Sequence, residues 1–118
     1  MAPRPLVHLL GLCNEVAGAL LAFGPALVVP VDGVRTPAGR LLGASGGVLL
    51  TAIAVAAWRM PQDAVREYLW IFGVGVKLVA ATVWGAAAVA TGTPLLWLGA
   101  LVDVTVAAVI GLGLVRWD

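Results

Sequence analysis

The sequence predicts an all-α integral membrane protein, a four-helix bundle running up-down-up-down as one transmembrane domain over residues 1–118. Three observations predict it. Only 11% of the residues are charged and 62% are hydrophobic, whereas a soluble domain carries about 25% charged residues. The mean hydropathy, +1.06, points the same way. The apolar residues fall into four runs, 5–29, 38–58, 66–90 and 94–116, each near the length of about 20 residues that crosses a hydrocarbon core. The connections between these runs are short and punctuated. None of the runs alternates with a period of two, so a β-barrel fits badly.

The first run begins "MAPRPLVHLLGLCNEVAGALL". Asn14 and Glu15 interrupt the apolar core that a secretory leader needs, and no small-x-small cleavage site follows, so the chain from residue 1 is expected to be retained. Cys13, the single cysteine, reads as a small packing residue. The segment "PVDGVRTP" then breaks the helix with prolines, a glycine and charges. The second run contains "GASGG", in which Gly43 and Gly47 form a G-x-x-x-G that admits a close helix neighbour. It closes at "RMPQDAV". The third run ends at the tight polar turn "TGTP", which forces the third and fourth runs to be antiparallel neighbours.

Arg4, Arg59, Arg66 and Arg116 share the face of the termini and the central connection, against Arg35 and Arg40 on the other. By the positive-inside tendency this predicts an inner-membrane protein with both termini in the cytoplasm. Trp58, Trp97 and Trp117 fall at run ends, where indole rings favour the headgroup level. The formal net charge of +1, with no cluster of basic residues, excludes a nucleic-acid footprint. The bilayer is the expected partner, together with further copies of the chain or a larger membrane complex.

Three fully ionisable side chains lie deep within the runs: Glu15, Lys77 and Asp103. At a rise of about 1.5 Å per residue their depths from the terminal face are about 15, 16 and 20 Å. They are therefore expected to meet in one layer. A lone charge at the centre of a span costs about 2.5–3.5 kcal/mol on insertion scales, so Lys77 and Asp103, on adjacent antiparallel helices, form the natural pair. Glu15 is then the surplus acid, expected to be neutral unless another cation reaches it. Gly73, Lys77, Ala81 and Gly85 recur every four residues and read as one packing face. Trp70 and Trp84 stand seven residues either side of Lys77 and are expected on its face, bounding a pocket or filling gaps. His8, seven residues before Glu15, is a candidate relay toward it. Asn14 and Tyr68 complete the set of intramembrane hydrogen-bonding groups.

One histidine and one cysteine build no common zinc or haem site without carboxylates, so no metal is assigned and no cofactor is evident. Phosphate loops, dinucleotide fingerprints and nucleophile elbows are absent from the sequence. Whether the chain is an enzyme stays open.

The stretches "RLLGASGGVLL", "RMP", "REYLWIFGVGVKLVAA" and "GALVDV" resemble the DoxX-like family of small bacterial four-helix membrane proteins. That family's pattern sets an R-x-P before the third span, a G-x-x-x-K inside it and an aspartate inside the fourth. The resemblance implies a membrane bundle that in some members is accessory to an oxidoreductase complex or to quinone-linked chemistry. Lys77 and Asp103 would be its polar pair. A second resemblance, around "NEVAGALL" and "YLWIFGVG" with Trp84 beyond it, is to the small multidrug resistance family. It would make Glu15 the site of proton or cation binding in a proton-coupled transporter. Against it, Lys77 interrupts the third helix, Phe23 replaces a usual lysine and the first connection is longer. A third reading is a small membrane enzyme acting on a lipid-soluble substrate.

Overall fold

The computed structural model describes residues 4–24, 29 and 32–116. Among them are four helices long and apolar enough to cross a membrane. Helix α1 is Arg4–Phe23 and α2 is Pro37–Trp58. Helix α3 runs over 65–91 after a 3₁₀ turn at Gln62–Ala64, and α4 is Leu96–Arg116. No strand occurs among the described residues.

The helix ends follow from local chemistry. α1 stops at Phe23, short of the boundary at 29 expected from the apolar run; Gly24 N–H closes onto Leu20 C=O at 2.8 Å. The next residue in sequence is Pro25, and the residue before a proline is steered out of the helical region. Hydropathy cannot see that stop, because "PALVV" is as apolar as the helix before it. Residues 25–28, 30 and 31, and the expected anchor Trp117, lie outside the described residues. α2 starts with Thr36 as N-cap, its hydroxyl accepting from Gly39 N–H at 3.1 Å, and proline in the first turn. α3 ends at Gly92 with φ 63°, the left-handed geometry that glycine adopts without a Cβ penalty.

Within α3, Leu69–Gly75 is a π-helical segment, closed by Val76 N–H bonding to Ile71 C=O. The sequence cue is "FGVG". Glycines tolerate the loosened turn, and such segments are otherwise rare within helices. The π segment also changes register. Small residues repeating every four positions drift around a helix of 3.6 residues per turn, and one widened turn offsets part of that drift. Leu69, Gly73, Ala81 and Gly85 thereby all end up buried on one stripe that includes Lys77.

The molecule is two antiparallel hairpins. In the first, α1 packs on α2 through glycines. A Cβ placed on Gly18 would lie 2.9 Å from the Gly47 carbonyl oxygen, and one on Gly11 would meet the Trp58 indole. In the second, Trp84 covers Gly99 and Trp97 covers Gly85. Trp58 and Trp97 keep 39% and 52% exposure, so each fills a glycine notch while still facing the membrane. The hairpins meet through α1 against the π segment and α4. Their shared core is Leu6, Val7, Leu10, Ala57, Val65, Tyr68, Leu69, Ile110 and Leu114, all on the side of the polar layer nearer the chain termini. Arg4 clips the two hairpins at that end, donating to Met60 C=O at 2.6 Å and to Gln62 Oε1 at 2.8 Å. The expected placement of Arg4 beside the central connection is therefore realised.

Candidate functional site

The polar layer forms where the two hairpins cross. Lys77 sits two residues past the π segment, about 21 Å from the C-terminal end of α3 by helical rise. Its Nζ lies 3.4 Å from Asp103 Oδ1 of α4, the pairing that the short third connection predicts. It also donates to Asn14 Oδ1 of α1 at 3.1 Å. Asn14 is 4% exposed and Asp103 8%. The site is thus a net-neutral triad drawn from three helices, with an amide and a carboxylate sharing one ammonium.

Here the structure departs from the expected Glu15–Lys77–Asp103 layer: α1 contributes Asn14 in place of Glu15. The reason is rotational. Neighbouring residues on a helix point about 100° apart, and Leu6, Val7 and Leu10, buried against the second hairpin, turn Asn14 inward. Glu15 falls on the other buried face of α1, with Gly11 and Gly18 at helical spacing before and after it, opposite α2. There its Oε2 is sealed and has no hydrogen-bond partner.

The remaining candidates scatter. Trp84 does not lie over Lys77; it packs on Gly99 of α4. Trp70 is 39% exposed, because the π segment between positions 70 and 77 breaks the seven-residue register that would place it on the lysine's face. His8 is exposed, on the α1 surface. Tyr68 is buried in the inter-hairpin core, stacked on Phe72 with ring centroids 4.9 Å apart, its hydroxyl sealed without a partner. An open apolar groove of about 960 Å³ runs between α3 and α4, lined by Ala81, Gly85, Ala86, Trp97 and Ala100 among others; none of the triad lines it.

Sequence reasoning named Asn14 only as a hydrogen-bonding group. Its adjacency to Glu15 was the obstacle, since charge draws attention to the acid while packing selects the amide. The π segment was missed as well, although two glycines one residue apart in an apolar helix are its visible trace. No family model matches the chain, and neither a curated protein nor a solved structure matches it.

Proposed function

We propose that this chain is a small multi-pass subunit of the bacterial inner membrane, with both termini cytoplasmic, that works as an accessory or structural component. Its partners would be further copies of itself or a larger membrane complex, possible settings being the oxidoreductase or quinone-linked assemblies that the DoxX-like resemblance suggests. The observation that supports this best is the internal charge balance. Lys77 is neutralised within the chain by Asp103 and held by Asn14, which suits a structural tie better than a group kept free for turnover. Affinity purification in mild detergent with native mass measurement tests the reading. A particle holding several chains or a stoichiometric partner is expected; a lone 12.0 kDa chain across detergents would count against it.

One observation favours a second reading, the proton-coupled transporter. The sealed, partnerless oxygen of Glu15 is the kind of intramembrane acid that marks ion or proton pathways. If that reading is right, Glu15→Gln leaves the protein folded, since the amide matches the protonated acid in size, and abolishes uptake of a lipophilic cation driven by a pH gradient in proteoliposomes. Equal activity in both proteins, or none in the wild type, removes it.

A further inference from the structure

The triad holds polar capacity that it does not use. Lys77 has three N–H donors, and one goes to Asn14. The Asn14 amide nitrogen and Asp103 Oδ2 make no bond within the described chain. Yet the only sealed and unpartnered side-chain oxygens or nitrogens among the described residues are Glu15 Oε2 and Tyr68 Oη. The free atoms of Asn14 and Asp103 are therefore open to the space beside them. Lys77 and Asp103 also keep 13% and 12% side-chain exposure.

That space lies on the side of the layer away from the termini. The shared core stops short of the triad. Beyond it each hairpin packs mainly on itself: Gly18 on Gly47 in one, Trp84 on Gly99 in the other. On α1 the inward face changes from buried at Leu10 and Asn14 to only partly buried at Ala17 and Leu21, and the facing Ala80, Trp84 and Gly99 are partly buried too. The result is an apolar cleft between hairpins with a polar floor near mid-membrane. Unsatisfied donors and acceptors at such a depth are costly, by several kcal/mol per group in hydrocarbon.

We propose that this cleft binds an uncharged lipid whose head pairs a carbonyl acceptor with a hydroxyl donor, as in a diacylglycerol. The floor carries no net charge, so a charged head gains no partner and loses its hydration. It offers donors from Lys77 and Asn14 beside an acceptor from Asp103, which a carbonyl and a hydroxyl together satisfy. Apolar walls take the hydrocarbon body, and the Trp84 ring forms one side of the entrance. This goes beyond the subunit reading and does not depend on it, since a monomer would hold the same cleft.

The test is titration of the full-length protein in phosphatidylcholine nanodiscs with dioleoylglycerol, followed by the nitrogen resonance of the Asn14 side-chain amide. Saturable binding that shifts this resonance is expected. Asn14→Ala, which leaves the Lys77–Asp103 pair in place, should bind about tenfold more weakly, as loss of one hydrogen bond predicts. Dioleoylphosphatidate and oleylamine should not compete. The proposal is overturned if dioleoylglycerol does not saturate, if either charged lipid binds as well, or if the Asn14 resonance does not move. Should Asn14→Ala fail to fold, the wild-type resonance and the competition decide.

Discussion

Asn14 and Glu15 differ by one position and by the whole character of their surroundings. Asn14 meets the ammonium of Lys77, and Glu15 faces α2 with a sealed oxygen. An amide at the crossing adds a hydrogen bond without adding charge. The second carboxylate that the sequence suggested would instead have left the layer with net negative charge. The Lys77–Asp103 pair should behave as a unit. Lys77→Met or Asp103→Leu alone strands a buried charge and should destabilise the protein by about 3–5 kcal/mol. The double substitution should recover much of that loss, because two apolar side chains of similar size leave nothing unpaired. Equilibrium unfolding in detergent across the four-member cycle measures this, and a coupling energy of zero would refute the pairing.

At the scale of the element, α3 carries the information that decides the site. Its π segment, Leu69–Gly75, sets the rotation of Lys77 relative to Leu69 and Val65, which are anchored in the inter-hairpin core. Deleting Val74 should convert this stretch to ordinary α-helix and turn everything after it by about 100° relative to the part before. Lys77 would then leave Asp103 and Asn14, or else the core residues before the segment would leave theirs. Either way the loss of stability should approach that of Lys77→Met. Loss of thermal stability, with helix content by circular dichroism unchanged, is the expected signature. A deletion variant as stable as the parent would show that the wide turn is dispensable.

The whole molecule is slab-shaped, 46 × 25 × 15 Å. Its longest axis matches the length of the 30-residue helical stretch Gln62–Thr91 at about 1.5 Å per residue. Arg4, Arg59, Arg66 and Arg116 gather at one end of it, where Arg4 reaches the central connection and Arg66 donates toward the Leu114 carbonyl at 3.5 Å. Arg35 and Arg40 lie at the other end. Reporter fusions at Asp118 and at Gly33 should therefore read opposite sides of the membrane, the first cytoplasmic. A periplasmic reading at Asp118 would reverse the topology; dual readings at both sites would point toward the transporter alternative.

Class, number of spans, antiparallel order and the Lys77–Asp103 pair were legible in the sequence. Each depends on quantities that run along the chain: hydropathy, helical rise, connection length and the cost of a charge in hydrocarbon. The four-residue stripe of Gly73, Lys77, Ala81 and Gly85 was legible for the same reason. What the chain by itself left open was rotation. Whether Asn14 or Glu15 faces Lys77, and whether Trp70 or Trp84 comes near it, depends on angles of about 100° per residue. Those angles are set by how Leu6, Val7 and Leu10 seat against Ile110 and Leu114 and by a turn of π-helix that hydropathy does not register. The opening of the cleft above the triad is likewise tertiary. It arises because glycine notches at Gly18, Gly47 and Gly99 draw each hairpin onto itself, and the packing that joins the hairpins lies on the other side of the layer.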